Sequence, residues 1–116
     1  MRLVVILCVT LTYLVYSDAQ ITNGLGAETA ATTEIKEYAS KLRGQIEKVA
    51  NVFRYDIFRA VSFRTQTVDN GYNVFIKTRV GFNEYIHVRI HKDLSDKVTL
   101  TSLQVDKSKD DPIEYF

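Results

Sequence analysis

The chain has 116 residues, 15 basic and 14 acidic side chains, a formal net charge of +1 and one cysteine, Cys8. This length suits one small domain and is too short for two. The near balance of charge excludes the strong basic field with which proteins bind nucleic acids or anionic membranes. A single cysteine forms no internal disulfide, so the core must stabilise the domain.

The first residues have the pattern of a secretory signal peptide. Arg2 precedes an apolar run from Leu3 to Tyr16, and small residues follow in Ser17–Ala19, as signal peptidase requires. We predict a signal peptide over residues 1–19, cleavage before Gln20, and a secreted, extracellular domain over residues 20–116. The alternative is a membrane anchor, but the run is shorter than the roughly 20 apolar residues that span a bilayer.

An arm and a helix are predicted next. Residues 20–31 have no hydrophobic period, which indicates a flexible arm. Thr32 is a suitable helix N-cap, and Glu34 places negative charge at the positive end of the helix dipole. Apolar residues then recur at helical spacing: Ile35, Ala39, Leu42, Ile46, Val49 and Phe53. The charged residues between them are interpreted as a solvated face: Lys36, Glu37, Lys41, Arg43, Glu47 and Lys48.

After Tyr55 the hydrophobic period changes from about 3.6 to 2, which predicts strands. In the first strand, one face carries Ile57, Val61 and Phe63 and the other carries Phe58, Ser62 and Arg64. The second runs over residues 74–80, the third over residues 85–90 and the fourth over residues 98–105. The fourth changes phase between Leu100 and Leu103, which indicates a bulge.

The connections contain short turn signals at residues 70–71, 81–84 and 93–96. Consecutive strands joined by such turns form an antiparallel sheet, and the helix can bury its apolar stripe only against that sheet. The predicted fold is therefore α+β, with one long N-terminal helix packed across a twisted antiparallel β-sheet.

No arrangement of residues indicates catalysis or a cofactor. His87 and His91 lie four residues apart on one strand, roughly 13 Å at about 3.3 Å per residue, which is too far to share a metal ion. We interpret both as solvated. The acidic residues 106–111 have Asp111 where a calcium loop needs glycine, and a solvated tail is the better interpretation. The chain is predicted not to be an enzyme, without metal or cofactor.

Three segments resemble the stefins, the type 1 branch of the cystatin superfamily. The tail from Leu103 to Asp111 resembles the stefin C-terminal signature, and Tyr85–Arg89 resembles the third stefin strand with its Tyr-x-His pattern. The residues Ala60-Val61 and Thr65-Gln66 resemble the strand that leads into the inhibitory loop of that family. The resemblance covers residues 21–116, and it implies the cystatin-like fold.

The resemblance implies a reversible, tight-binding inhibitor of papain-like cysteine proteases of the cathepsin L and B type. In stefins, an arm and two hairpin loops form a wedge that fills the active-site cleft of the protease. The protease-binding residues implied here come from the arm, the first loop and the second loop: Asn23, Gly24, Leu25, Gln66, Thr67, Val68, Asp69, Asn70, Gly71, Leu94 and Ser95.

The binding segments depart from the family pattern at a few positions. Asn23 stands where the family has its key glycine, and Asp69 and Asn70 replace a small residue and a glycine in a loop that is one residue longer. Asn70-Gly71 predicts a two-residue hairpin turn. The alternative function is a secreted cystatin-fold binding protein that has lost inhibition. We expect a monomer, with a dimer that exchanges hairpin loops as the other possibility.

Overall fold

A computed structural model describes residues 24–116, so the predicted signal peptide and Asn23 lie outside the described residues. The elements follow one another as β1 (Thr29–Ala30), α1 (Thr33–Val49), β2 (Arg59–Val68), β3 (Gly71–Arg79), β4 (Tyr85–Asp93) and β5 (Val98–Lys107). The strands form one sheet in the order β1-β2-β3-β4-β5, and every neighbouring pair is antiparallel. This arrangement confirms the predicted α+β fold.

The core lies between α1 and one face of the sheet. The helix contributes Ile35, Ala39, Leu42 and Ile46, four members of the predicted stripe. These side chains meet alternate residues of the central strands, among them Ile76, Val88 and Ile90. Full burial of one such aliphatic side chain contributes about 1.5 to 3 kcal/mol. The domain therefore needs no covalent cross-link to bring the helix onto the sheet.

The two ends of α1 are set by local hydrogen bonds. The Thr32 hydroxyl accepts a bond from the Ile35 backbone nitrogen at 3.3 Å, which confirms Thr32 as the N-cap. At the other end Asn51 has φ 61°, and its N–H bonds to the carbonyl of Lys48 while the N–H of Val52 bonds to that of Glu47. This pairing is a Schellman motif. It ends the helix at Val49, so the prediction of Phe53 on the helical stripe was wrong, and Phe53 is fully exposed.

Two charged residues of the predicted solvated face hold the chain that follows the helix. The Glu47 carboxylate accepts bonds from Arg43 Nε at 3.0 Å and from the Tyr55 backbone nitrogen at 2.9 Å. The Arg43 guanidinium also donates to the Tyr55 carbonyl oxygen and lies 5.0 Å from the centre of the Phe58 ring. The Tyr55 N–H and then Arg43 lower the pKa of Glu47. The interpretation of Arg43 and Glu47 as merely solvated was wrong, since Glu47 is only 8% exposed.

The predicted side-chain alternation of the first strand is also corrected. Ala60 pairs with Thr78 while Ser62 pairs with Lys77, so Val61 is the extra residue of a β-bulge. The bulge places Ala60 and Phe63 on the core side and leaves Val61 39% exposed. In β5, Ser102 pairs with Arg89 and Leu100 with Ile90, so Thr101 is the extra residue and the predicted phase change is confirmed.

The C-terminal segment, residues 108–116, covers the face of the sheet that is turned away from α1. Ile113 is completely buried, and the rings of Tyr115 and Phe116 lie 5.9 and 5.5 Å from that of Phe75. Lys77 Nζ donates to the Lys109 carbonyl oxygen at 2.8 Å. None of residues 106–111, which were interpreted as a solvated tail, is buried, so that interpretation is confirmed for them. The second cover of the sheet is formed further along the chain by Ile113, Tyr115 and Phe116.

The interpretation of His87 as a solvated histidine was wrong as well. Its side chain is completely buried, and neither ring nitrogen has a hydrogen-bond partner among the described residues. Burial, followed by the charges of Lys77 and Lys107, lowers the pKa of His87 from 6.5 to about 4, although Asp111 and Glu28 act in the opposite direction. The folded protein therefore keeps this ring neutral at mildly acidic pH.

The folded state should lose stability between pH 6.5 and 4 because of His87. The unfolded chain binds a proton at this ring below pH 6.5, whereas the folded chain does so only near pH 4. The free energy of unfolding, measured in urea, should fall by about 2 kcal/mol from pH 7.5 to pH 5. His87→Gln lacks the imidazole but keeps every carboxylate of the wild-type protein. Its free energy of unfolding should therefore not show this decrease. Equal decreases in both proteins would contradict the assignment.

Candidate functional site

Both predicted binding loops lie at one end of the sheet. Val68 at the end of β2 pairs with Gly71 at the start of β3, and Gly71 pairs on its other side with Asp93 at the end of β4. The β2–β3 loop and the β4–β5 loop are therefore side by side. The β3–β4 turn, residues 80–84, lies at the opposite end, where Val80 N–H bonds to the Glu84 carbonyl oxygen at 2.9 Å.

The first loop turns at Asp69 and Asn70, one residue earlier than predicted. Asn70 does not have a positive φ, since the described non-glycine residues that do are Asn51, Asp96 and Asp106. Gly71 instead belongs to β3 with φ 134°, and a Cβ atom there would lie 2.0 Å from the Lys92 carbonyl oxygen. The predicted Asn70-Gly71 turn was wrong because this glycine serves the close approach of β4. Gln66, Thr67 and Val68 are the last residues of β2.

Asp93 holds the second loop in a tight conformation. Its carboxylate accepts bonds from the backbone N–H groups of Ser95 at 2.8 Å and Lys97 at 2.9 Å. These bonds, that of Lys97 first, lower the pKa of Asp93, so the carboxylate stays charged at neutral pH. Asp96 adopts φ 65°, and the backbone bonds Asp96 N–H to Asp93 O and Asp93 N–H to Lys97 O complete the turn. The side chain of Leu94 is left 80% exposed.

The arm runs beside β2 toward the same end. Thr29 and Ala30 pair with Phe63 and Ser62, and Gly26 N–H bonds to the Thr65 carbonyl oxygen at 2.8 Å. The prediction of a flexible arm was thus wrong for residues 24–31. Gly24 and Leu25 continue beyond Gly26 toward the first loop.

Arg64 holds the arm and the C-terminal segment at once. Its guanidinium donates to the carbonyl oxygens of Gly26 at 2.6 Å, Leu25 at 3.4 Å and Ile113 at 2.6 Å. A hydrogen bond from a charged donor contributes about 1.5 to 3 kcal/mol. Sequence analysis placed Arg64 on one face of the first strand but predicted none of these bonds, because the main-chain oxygens that it binds leave no residue pattern.

Lys92 connects the two loops on the helix side of the sheet. Its ammonium lies 3.2 Å from the Asp96 carboxylate and 5.9 Å from the centre of the Tyr72 ring. The hydrogen bond to Asp96, followed by Tyr38, raises the pKa of Lys92. Tyr72 directly follows Gly71 at the end of the first loop, and Asp96 lies in the second loop. The Lys92 ammonium therefore contacts a residue at each loop. Sequence reasoning did not single out Lys92.

This end of the molecule is suited to contact with a macromolecule. Adjacent strands lie about 4.8 Å apart, so the arm and the two loops span roughly 20 Å. The loop tips are exposed, and the arm and loops combine main-chain groups with apolar side chains, of which Leu94 is the most exposed large one. Within residues 24–116, no group of three or more potential metal ligands occurs and no helix is long and apolar enough to cross a membrane.

Similar proteins match almost along their whole length. The chain is 41% identical to Cystatin-A of Mus musculus over 98 residues, 83% of this chain and 99% of the relative. It is 39% identical to Leukocyte cysteine proteinase inhibitor 1 of Sus scrofa over 103 residues, 86% and 98% of the two chains. It is 38% identical to Cystatin-B of Macaca fuscata fuscata over 89 residues, 74% and 89% of the two chains. No model of a known protein family matches the chain.

Gly71→Ala should destabilise the fold by about 2 to 4 kcal/mol, the sum of an unfavourable φ and an overpacked contact. The matched control is Gly44→Ala, because a Cβ atom at this helical glycine would meet nothing within 4 Å. The control should stabilise the protein by up to about 1 kcal/mol. Urea unfolding of both variants measures the difference, and equal stabilities would refute the close-approach argument.

Proposed function

Because the chain belongs to the cystatin family, we propose that it is a reversible, tight-binding inhibitor of papain-like cysteine proteases of the cathepsin L and B type. One relative is named Leukocyte cysteine proteinase inhibitor 1, and this name supports inhibition of cysteine proteases as the class of activity. Membership of the cystatin family also confirms the prediction that the chain is not an enzyme.

The observation that carries the proposal is the position of the arm and both loops at one end of the sheet. Val68, Gly71 and Asp93 lie next to one another across the strands, and the arm follows β2 to the same end. We propose that the three segments enter the active-site cleft together as a wedge. The wedge includes Asn23, Gly24 and Leu25 from the arm, and both tips occupy the cleft without offering a bond for cleavage.

Restraint of the second loop favours tight binding. The Asp93 carboxylate accepts hydrogen bonds from the backbone N–H groups of Ser95 and Lys97, which follow Leu94, so this part of the wedge is ordered before the complex forms. Groups that are already fixed lose less conformational entropy on association. The exposed Leu94 side chain gains free energy when a partner covers it. Rigidity and apolar surface thus occur together at this tip.

The first tip is the polar part of the wedge. Asp69 and Asn70 are both exposed, and a carboxylate that loses its water without gaining a partner opposes binding. This tip therefore discriminates among proteases according to the charge at the mouth of the cleft. A binding protein that has lost inhibition is the alternative outcome of the experiment that follows.

Titration of papain and cathepsin L with residues 20–116 tests the proposal. Peptide hydrolysis should fall with inhibitor concentration toward a one-to-one end point and should return on dilution at the rate of dissociation. Hydrolysis that stays unchanged for several such proteases in a large molar excess of the protein would refute inhibition and leave the alternative.

Leu94→Ala should weaken inhibition about five- to thirtyfold, the equivalent of about 1 to 2 kcal/mol of lost apolar contact. Phe82→Ala is the matched control, because Phe82 is 81% exposed, as Leu94 is at 80%, but lies in the turn at the opposite end of the sheet. Inhibition constants against papain should separate the two variants. If Phe82→Ala weakens inhibition as much as Leu94→Ala does, the binding end is wrongly assigned.

We further propose that the protein acts outside the cell after removal of residues 1–19. The proposal rests on Arg2, the apolar run Leu3–Tyr16 and the small residues before Gln20. Mass spectrometry of medium from producing cells should find a chain that begins at Gln20. Replacement of Leu7 by Arg should keep the protein in the cell lysate, because it interrupts the apolar run. A full-length chain confined to the lysate would contradict the proposal.

A further inference from the structure

A row of polar side chains crosses the sheet directly behind the first loop. Gln66 on β2 pairs with Asn73 on β3, and Asn73 pairs with His91 on β4. The Asn73 amide nitrogen donates to Gln66 Oε1 at 2.8 Å, and Asn73 Oδ1 lies 3.2 Å from His91 Nδ1. The three side chains form a continuous hydrogen-bonded row over three neighbouring strands, and Gln66 stands two residues before Val68, where β2 ends.

The polarity of this row is determined by its central member. Asn73 Oδ1 is only an acceptor, so His91 Nδ1 carries the proton in this arrangement. Asn73 is only 7% exposed, and hydrogen bonds are stronger where water is excluded. The amide of Asn73 thus uses its oxygen toward His91 and its nitrogen toward Gln66, which leaves one favoured orientation for the Gln66 carboxamide.

The surroundings of the row explain why these bonds matter. Val68 and Asn70 of the first loop share a surface cavity of about 410 Å³ with Asn73 and His91. On this side, Val68 and Asn70 face an open space instead of packed side chains, so close packing does not restrain this part of the loop. Hydrogen bonds across the strands supply the restraint.

We propose that Asn73 and His91 are positioning residues for protease binding, which act through Gln66 by fixing the orientation of its side chain at the base of the first loop. The inference rests on the proposed function. It gives a role in inhibition to two residues outside the arm and the loops, on the two strands that follow β2.

A double-mutant cycle with Gln66→Ala tests this role. Asn73→Ala alone should speed the dissociation of the papain complex about fivefold, the value of one hydrogen bond. In the Gln66→Ala background, Asn73→Ala should change the dissociation rate less than twofold, because the side chain through which it acts is gone. The same fivefold effect in both backgrounds, or no effect in either, would overturn the proposal. Asn83→Ala, an exposed asparagine at the opposite end, is the control.

Variants of His91 separate positioning from a general effect on stability. His91→Leu fills similar space but cannot donate to Asn73, and it should speed dissociation, whereas His91→Gln retains a donor and should restore the wild-type rate. If His91→Gln and His91→Leu dissociate at the same rate, the row does not act through this bond.

The free protein provides a measurement that does not depend on inhibition. The side-chain amide resonances of Gln66 in ¹H–¹⁵N spectra should shift in Asn73→Ala and in His91→Leu, and should be unchanged in Asn83→Ala. Gln66 resonances that do not respond to either substitution refute the positioning row. A wild-type chain that leaves papain active refutes the proposed function alone, while the resonances still decide whether the row exists.

Discussion

Cationic side chains attach the C-terminal segment to the sheet, and the cover on the face opposite α1 depends on this interaction. Arg64, Lys77 and Arg89 each donate to a main-chain carbonyl of this segment, and Arg64 donates to the arm as well. The segment buries Ile113 and covers one side of Phe75, on the face that the helix does not reach. The donor matters most at buried Ile113, because an unpaired buried carbonyl is costly. A sheet covered on both faces by one short chain is then stable without a disulfide.

The same attachment explains the state of His87. Its position on β4 turns the ring toward Lys77 and away from α1, beneath the part of the chain that Lys77 holds at Lys109. Burial and the neighbouring positive charge both disfavour the protonated ring. Lys77, one of the cations that attach the segment, therefore also helps burial to keep this histidine neutral. Attachment of the C-terminal segment and the response of stability to acid are thus coupled through Lys77.

The sequence predicted the features of the fold that depend on burial of side chains. It did not predict the features that depend on hydrogen bonds or close contacts to backbone atoms. The stripe from Ile35 to Ile46 was correct because it is buried against the sheet, but Phe53 continued the period past a helix end that Asn51 sets through its positive φ. The resemblance to stefins implied that the two loops lie together, yet Gly71 was assigned to the turn because its contact with the Lys92 carbonyl is invisible in the sequence. Glu47 and Arg64 were missed for the same reason, since they bind backbone atoms of residues elsewhere in the chain, among them Tyr55 and Ile113.

The division between constrained and unconstrained positions has a consequence for specificity. Gly71 and Asp93 determine the backbone of the two loops through a close contact and through hydrogen bonds to N–H groups, so substitutions there alter the loops themselves. Asp69, Asn70 and Leu94 are exposed, and none of the three requires a left-handed backbone. Their side chains can therefore change without a change in the turn that carries them. Under the proposed function, substitutions at Asp69 or Asn70 change which protease the protein fits, while the shape of the two loops depends on the neighbouring residues Gly71 and Asp93.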